Sequence, residues 1–259
     1  MEPQTETDDV LVEQQGRVLV ITINRPRARN AVNASVAAGV AAALDRLDAD
    51  PDLAVGVLTG AGGAFSAGMD LKAFVRGESP AVGGRGFAGI TAQPPETPII
   101  AAVEGPALAG GCEMALACDL LVASEEAYFG IPEVKRGLVA AAGGLIRLPR
   151  RIPAAVAMEL ALTGDPLPAA DAHRWGLVNR LTPAGGALAG ALELAARITA
   201  NGPLAVRATK QVIARSGDWT TEDMWDRQAE YVGPVLASED AREGATAFAE
   251  KRAPVWQGR

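Results

Sequence analysis

Two glutamates follow apolar segments at places where a carboxyl group could do acid–base chemistry. Glu113 falls in the first turn of a predicted short helix between two apolar strands, and Glu133 follows Pro132 at the end of another apolar strand. Two carboxyl groups that share an apolar site raise each other's pKa, which suits general acid–base catalysis near neutral pH. Taken singly, Glu113 is better explained as a charge that complements the helix dipole, and Glu133 as the partner of Lys135 or Arg136 in a surface ion pair.

Two glycine-rich turns, "GAFSAGMD" and "LAGGCE", each join an apolar strand to the start of a helix. The first has the glycine spacing of a phosphate loop, but Met69 and Asp70 stand where that loop has Lys and Ser or Thr. The first N–H groups of a helix have no partner within the helix. Two such turns directed at one point could therefore hold an oxygen that carries developing negative charge. For either turn alone, tight chain reversal is the simpler explanation.

Composition excludes several other classes of function. The net charge of −7 and an aromatic content of 4% argue against a nucleic-acid-binding surface. His173 is the one histidine of the chain, which leaves no material for a histidine metal site or a serine–histidine triad. Cys112 and Cys118 are expected to be buried, reduced thiols. The acidic N-terminus has no signal-peptide pattern and no apolar run could span a bilayer, so we expect a soluble, cytoplasmic protein without a membrane partner.

The predicted strands and helices that must position these residues indicate an α/β protein. Strands are predicted at 18–23, 53–59, 99–103 and 120–123, with a helix that starts after an Asn33 cap and ends before Pro51. The stretch 76–98 is rich in Gly and Pro and is predicted to be a mobile loop. Helices are predicted at 144–151, 153–163, 168–175 and 186–199, and nearly everywhere after 201. The pattern favours a parallel sheet followed by a helical C-terminal region.

Read together, several segments resemble the enoyl-CoA hydratase/isomerase family, the crotonase superfamily. They are "NRPRARNAVN", "LTGAGGAFSAGMDLK", "AAVEGPALAGGCEMALACDLLVAS", "FGIPEVKRGLVAAAGGLIRLPRRI", "GLVNRL" and "EDAREGATAFAEKRAPVW". The resemblance begins near Leu11 and implies an α/β fold, a crotonase-type ββα superhelix or spiral. It implies a polar, flexible lead over 1–10, a spiral core with the active site over 11–200, and a helical region over 201–259 that builds trimers or dimers of trimers.

The resemblance also implies roles for individual residues. The backbone N–H groups of Met69 and Gly110 would form the oxyanion hole for the thioester oxygen, and Glu113 and Glu133 would be the catalytic acid and base. Binding of CoA and substrate is implied for Arg27, Ala28, Ala67, Asp70, Leu71 and Pro132, and, from an adjacent subunit, for Phe248 and Lys251.

The implied reaction is reversible syn addition of water to a 2-trans-enoyl-CoA. It needs no metal and no cofactor, because coenzyme A is part of the substrate. The partners would be the acyl-CoA thioester and further copies of the chain. Three alternatives stay open: double-bond isomerisation, dehydration of a different hydroxyacyl-CoA, and non-catalytic acyl-CoA binding. Met69 is bulkier than the small residue common in the family, and "VAAAGG" replaces a Pro-Gly turn, so the acyl group is left undetermined.

Overall fold

Strands dominate the first half of the chain and helices the second. The structure, a computed structural model, describes residues 9–259. Over these residues the strands are β1 (Val10–Gln15), β2 (Val18–Ile23), β3 (Val55–Gly60), β4 (Ala81–Val82), β5 (Gly86–Phe87), β6 (Ile99–Val103), β7 (Pro106–Leu108), β8 (Leu120–Ser124), β9 (Tyr128–Gly130), β10 (Leu167–Pro168) and β11 (Arg180–Thr182). The helices are α1 (Ala34–Ala49), α2 (Leu71–Val75), α3 (Gly110–Ala117), α4 (Gly144–Arg151), α5 (Ala154–Thr163), α6 (Ala169–Arg174), α7 (Ala187–Thr199), α8 (Pro203–Arg215), α9 (Met224–Leu236) and α10 (Glu239–Glu250). Single 3₁₀ turns cover Pro26–Ala28, Gly83–Arg85, Pro132–Arg136 and Ser216–Asp218.

In the main sheet, neighbouring strands follow one another in the order in which they occur along the chain. Its strands lie in the order β1-β2-β3-β6-β8-β11. β1 pairs with β2 antiparallel, and every other neighbouring pair is parallel. Sequential parallel neighbours require a crossover after each strand. Here a second, short extended segment and a helix supply that crossover.

Those short segments form a second layer of pairing that carries the two glycine-rich turns. β7 and β9 are parallel neighbours in a small sheet of order β10-β9-β7, with Leu108 opposite Gly130. Isolated parallel bridges join Ser66 to Ala107 and Val32 to Met69. Each turn of the chain thus adds one strand to the main sheet and one short segment to the second layer. The predicted fold class, a ββα spiral, is confirmed.

The parallel strands β2, β3, β6 and β8 of the main sheet are buried on both faces, as parallel strands usually are. In β2, Leu19, Ile21 and Ile23 point into the larger core with α1 and α3, while Val18 and Val20 point into a smaller core. Helix α7 closes that smaller core with alanines at helical spacing, including Ala187, Ala191 and Ala195. Helix α1 begins directly after Asn33, as predicted from the sequence, because the Asn33 side chain accepts a hydrogen bond from the Val36 amide at 2.9 Å.

Two segments differ from the sequence-based expectation. Strand β1 was not predicted, because five of its six residues are exposed and its sequence has no inside–outside alternation. Of the predicted polar lead over 1–10, residues 1–8 lie outside the described residues, and Val10 already belongs to β1. The 76–98 stretch is irregular as predicted, but it contains the β4–β5 hairpin and is anchored by the fully buried Ala88 and Ile90.

The C-terminal helices lie on the spiral through a few specific contacts. Lys210 on α8 pairs with Asp119 at 2.7 Å and donates to the carbonyl oxygens of Pro95 and Thr97. The Trp256 indole donates to the Ala200 carbonyl at 2.9 Å. The division into a core over 11–200 and an oligomerisation region over 201–259 stays a prediction. Within residues 9–259, no helix has the length and hydropathy needed to cross a bilayer.

Candidate active site

The second layer of pairing brings the two glycine turns together. The Ser66–Ala107 bridge sets the segment that leads to Met69 beside β7, which leads to Gly110. Gly68 has a φ of +89°, and a Cβ added there would lie 2.9 Å from the Gly110 nitrogen. Only glycine fits this close approach without displacing the backbone, since the left-handed region disfavours a Cβ. The two predicted oxyanion positions are therefore adjacent in the structure.

Each of the two turns contains a backbone N–H group that has no partner in the part of the chain that the structure describes. The Val32 amide donates to the Gly68 carbonyl and the Asp70 amide to the Val32 carbonyl, so the bridge uses the groups on either side of the Met69 amide. Gly110 is the first residue of α3, and Ala109 before it has a φ of +52°. Within residues 9–259, neither the Met69 nor the Gly110 amide donates a hydrogen bond. Positive φ at a non-glycine residue is a strain often found at functional sites.

Glu113 is held in one orientation by the start of the following helix. Its carboxylate Oε1 accepts from the amides of Ala142 at 2.7 Å and Gly144 at 2.9 Å, and its side chain is buried. A Cβ at Gly144 would lie 3.1 Å from that Oε1, so the turn before α4 closes tightly on the carboxylate. Burial raises the pKa of Glu113 above its usual range, while the two N–H groups and the charge of Arg147 oppose the rise.

Unlike the carboxyl of Glu113, the carboxyl of Glu133 is not held by hydrogen bonds from a neighbouring helix in the described part of the chain. It lies in the 3₁₀ turn Pro132–Arg136, and its Oε2 atom is buried with no hydrogen-bond partner among the described residues. Burial raises the pKa of its carboxyl, and the charge of Glu113 raises that pKa further. A buried carboxylate oxygen without a partner is rare in proteins, because it costs about 1–3 kcal/mol. This oxygen is therefore free to bind a water or substrate atom.

The same sheet register explains why the two glutamates meet. Glu113 follows β7 and Glu133 follows β9, and these strands are parallel neighbours whose ends lie at one edge. Burial raises the pKa of the Cys112 thiol to about 12, and the charges of both glutamates act in the same direction, so both lie close enough to affect this thiol. Among the described residues, neither ion pair that could have explained Glu133 is formed: Lys135 pairs with Asp165, and Arg136 acts on Glu133 only through its charge, which opposes the rise in the pKa.

Most of the predicted CoA-binding positions lie on the Met69 side of the site. Arg27 and Ala28 form a 3₁₀ turn, the Ala67 amide donates to the Arg29 carbonyl, and Leu71 begins α2 with its side chain about half exposed. Asp70 caps α2 by accepting from the Lys72 and Ala73 amides, and it also pairs with Arg25 at 3.0 Å. The Ala73 N–H is the largest cause that lowers the pKa of Asp70, and Arg25 lowers it further.

The remaining predicted binding positions fall into two groups. Pro132 opens the 3₁₀ turn that carries Glu133. Phe248, 88% exposed, and Lys251, which ends α10, lie on the last helix. Their expected contact is with an adjacent subunit, so their role stays a prediction.

Several residues at the site were not found from the sequence. A Cβ at Gly110 would lie 2.5 Å from the Phe87 ring, so Phe87 stands directly against the predicted oxyanion position. The Arg147 guanidinium donates to the Thr91 carbonyl at 2.7 Å. The amides of Ala142 and Gly144 bind Glu113 through backbone atoms that carry no residue-type signature. The paired glycines ahead of α4 were the one available signal for them.

His173 has the structural role expected of it. It lies near the C-terminal end of α6, and its Nδ1 is 2.8 Å from the Val178 carbonyl oxygen. It is exposed and its ring contacts the backbone that follows its own helix, so it takes no part in the site.

Comparisons with known proteins show the family of the chain. The sequence model of the enoyl-CoA hydratase/isomerase family matches residues 13–259. The enoyl-CoA hydratase EchA19 of Mycobacterium tuberculosis is 45% identical over 258 residues, 97% of either chain. A carnitinyl-CoA dehydratase of Salmonella typhi is 41% identical over 261 residues, 98% of this chain and 100% of that one.

Solved structures give the same result for the fold. An enoyl-CoA hydratase from Mycobacterium tuberculosis H37Rv superposes with a TM-score of 0.96 at 61% identity, covering 98% of this chain and 100% of that one. A carnitinyl-CoA hydratase from Mycobacterium avium superposes with a TM-score of 0.78 at 48% identity, with the same coverage. The chain belongs to the enoyl-CoA hydratase/isomerase family.

Proposed function

We propose that this protein is an enoyl-CoA hydratase, which adds water reversibly and with syn geometry to a 2-trans-enoyl-CoA to give a 3-hydroxyacyl-CoA. The observation that carries the proposal is the meeting of two carboxyls, the buried Glu113 and the half-buried Glu133, near two backbone amides that have no partner among residues 9–259. An acyl-CoA binder would need neither carboxyl. Similarity to relatives that are named hydratases and dehydratases supports the same class, a hydro-lyase.

The unpaired amides of Met69 and Gly110 would polarise the thioester carbonyl. Both N–H groups would donate to its oxygen and hold the negative charge that develops there as the enolate-like state forms. Gly110 begins α3, so the helix dipole adds to its donor. Loss of one donor of this kind costs about 3 kcal/mol of barrier, or roughly a hundredfold in kcat.

The environments of the two glutamates favour different roles. Glu113 accepts two backbone N–H bonds through Oε1, which stabilises its ionised form and leaves Oε2 to take a proton from water. Glu133 Oε2 has no such partner among the described residues, and the raised pKa of this carboxyl increases the fraction that carries a proton at a given pH. In hydration the water oxygen bonds to C3 while Glu113 takes one water proton. Glu133 gives its proton to C2, and exchange with solvent then restores both groups.

The decisive experiment mixes the purified protein with crotonyl-CoA and with a longer 2-enoyl-CoA. We expect loss of the conjugated thioester absorbance and a product that is heavier by one water. Glu133→Gln should abolish turnover while binding of the CoA ester persists. Full activity in that variant would contradict the acid–base assignment, and a product of unchanged mass would indicate an isomerase instead.

A second candidate is dehydration of carnitinyl-CoA or a related hydroxyacyl-CoA. It is favoured by a relative named carnitinyl-CoA dehydratase at 41% identity and by a solved structure titled carnitinyl-CoA hydratase at 48% identity. The same two carboxyls would serve, because elimination of water is the reverse of its addition. Incubation with carnitinyl-CoA separates the two: loss of one water faster than crotonyl-CoA gains one would favour the second candidate.

The proposal extends to assembly as a trimer or a dimer of trimers. In the described chain, α8 and α9 have no buried residue, although Ile213, Trp225 and Leu236 expose large apolar side chains. A groove of about 320 Å³ between these helices is lined mainly by Ala, Val and Ile. An exposed apolar surface of this kind is typical of a subunit interface. Light scattering that gives a monomer would contradict this part and the proposed contribution of Phe248 and Lys251.

A further inference from the structure

The turn that binds Glu113 also contacts a second functional group, the Arg147 guanidinium. Gly143 separates the two amide donors, Ala142 and Gly144, and has a φ of +102°. A Cβ at Gly143 would lie 3.3 Å from Cζ of Arg147 and would overlap its Nη1. The Arg147 side chain thus folds back over the turn that holds the carboxylate.

The far end of Arg147 is bonded to a different part of the chain, residues 83–93, here called the 83–93 loop. Its Nη2 donates to the carbonyl oxygen of Thr91 at 2.7 Å. The Thr91 and Ile90 amides donate in turn to the Phe87 carbonyl. This tight turn therefore connects Arg147 to the residue whose ring stands against Gly110.

The outer side of the loop is fixed on α1. Arg85 pairs with Asp45, and its Nη1 donates to the Gln93 carbonyl at 3.0 Å. Gly89 packs so closely on α1 that a Cβ there would lie 2.5 Å from the Ala37 carbonyl oxygen. The bond from Arg147 is the contact that ties the inner side of the loop to the turn beside Glu113.

We propose that Arg147 is a positioning residue that sets the 83–93 loop, and with it Phe87, against Gly110 while holding a positive charge beside the Glu113 carboxylate. The proposal rests on the proposed hydratase function for its kinetic consequences. It joins the acid–base group and the oxyanion side of the site through one side chain. Loop position and Glu113 ionisation should then change together when the guanidinium is removed.

The electrostatic part follows from the groups that face one another. Arg147 opposes the rise in the pKa of Glu113, whereas Glu133 from the neighbouring 3₁₀ turn is a like charge. Burial and the nearby Arg151 and Arg150 lower the pKa of Arg147, and Glu113 on α3 and Cys118, the residue that follows α3, act the other way. Without Arg147 the pKa of Glu113 rises further. If Glu113 must be ionised to accept the water proton, activity on the acidic side is then lost first.

The test compares three variants of the full-length protein. Arg147→Gln removes the charge and the forked donor, and Arg147→Lys keeps the charge but not the planar geometry that reaches Thr91. Arg150→Gln is the matched control, because it removes the same charge from the same helix at an exposed side chain paired only loosely with Asp218 at 3.5 Å. Two readouts are used: kcat and KM for crotonyl-CoA from pH 5.5 to 8, and hydrogen–deuterium exchange of the peptide 83–93.

For Arg147→Gln we expect the ratio of kcat at pH 8 to kcat at pH 5.5 to rise about threefold or more, with about a fivefold higher KM and faster exchange of the loop. Arg147→Lys should show the faster exchange and higher KM but a pH ratio near that of the wild type. Arg150→Gln should show neither change.

A pH ratio in Arg147→Gln equal to that of Arg150→Gln would overturn the proposal, as would the same pH shift in Arg147→Lys. Unchanged exchange in Arg147→Gln would also overturn it. A wild-type protein inactive on enoyl-CoA would count against the proposed function alone, because the exchange readout would still decide the positioning role.

Discussion

Replacement of Glu113 should destabilise the protein, whereas replacement of Glu133 should stabilise it at pH 7. Either replacement should abolish activity. Glu113→Ala leaves the Ala142 and Gly144 amides without their acceptor, whereas Glu133 Oε2 has no partner to leave behind. The matched variant Glu113→Gln keeps an oxygen in place for both amides. These substitutions therefore separate the hydrogen-bonding role of a carboxyl from its charge.

The expected change in the free energy of unfolding for Glu113→Ala follows from the number of hydrogen bonds that the substitution breaks. A buried N–H group left without a partner costs about 1–3 kcal/mol, so two amides cost roughly 2–6 kcal/mol. Removal of a buried charge returns part of this, because burial has raised the pKa of Glu113 and its ionised form opposes folding at neutral pH. We expect Glu113→Ala to lower the free energy of unfolding by about 2–4 kcal/mol and Glu113→Gln by about 1 kcal/mol.

The effect of Glu133→Gln has the opposite sign and depends on pH. Its folded-state pKa is raised, so the favourable contribution of the neutral acid is fully present below the unfolded pKa and is lost as pH rises through the folded one. The variant should therefore be more stable than the wild type at pH 7, by less than about 1 kcal/mol, because solvent screens the charge of a half-exposed carboxyl. That advantage should disappear below the ordinary pKa range of glutamate.

Urea unfolding at fixed protein concentration, at pH 7 and again near pH 4, measures all of these differences. Glu113→Ala as stable as the wild type at pH 7 would refute the bonding argument. Glu133→Gln less stable than the wild type at pH 7 would refute the reading of Glu133 as an unpartnered, destabilising charge. A gain in Glu133→Gln that is unchanged at pH 4 would show that its cause is packing rather than ionisation.

Three further substitutions test how the site is positioned. Gly110→Ala should lower kcat about a hundredfold by pressing a methyl group against the Phe87 ring, and the double variant with Phe87→Ala should recover part of the loss in steady-state assays. Asn30→Ala removes the two hydrogen bonds that this side chain donates to the Ala61 and Ala64 carbonyls, and it removes the acceptor for the Arg25 amide. Thermal unfolding should show that the free energy of unfolding falls by about 2–4 kcal/mol. Lys210→Met leaves Asp119 without its cation, and hydrogen exchange should show α8 loosened, with about 2 kcal/mol lost overall.

The sequence allowed much of the fold and the side chains of the site to be predicted, because these have local signals. Helix α4 has the bounds that were predicted, 144–151, and the Asn33 cap and strand 99–103 also agree with the structure. The candidate acids were marked by their position at the ends of apolar strands. The register of β7 and β9 then explains why they meet, and that register follows from pairing over long sequence distances.

The contacts around Glu113 could not be predicted, for two physical reasons. Its hydrogen-bond donors are the backbone amides of Ala142 and Gly144, which every residue except proline possesses. Phe87 and Thr91 lie in a stretch without periodicity, and they reach the site because Ala88 and Ile90 are buried against the core. Only the tertiary structure relates that stretch to Gly110.

The bulky Met69, which departs from the small residue common in the family, is compatible with an oxyanion role for a related reason. The proposed donor at that position is a backbone amide, so the side chain does not supply the hydrogen bond and can point elsewhere. The steric constraint falls instead on Gly68, where a Cβ would meet the Gly110 nitrogen at 2.9 Å. The type of residue 69 is therefore less constrained than that of residue 68, which must stay glycine for the two turns to remain this close.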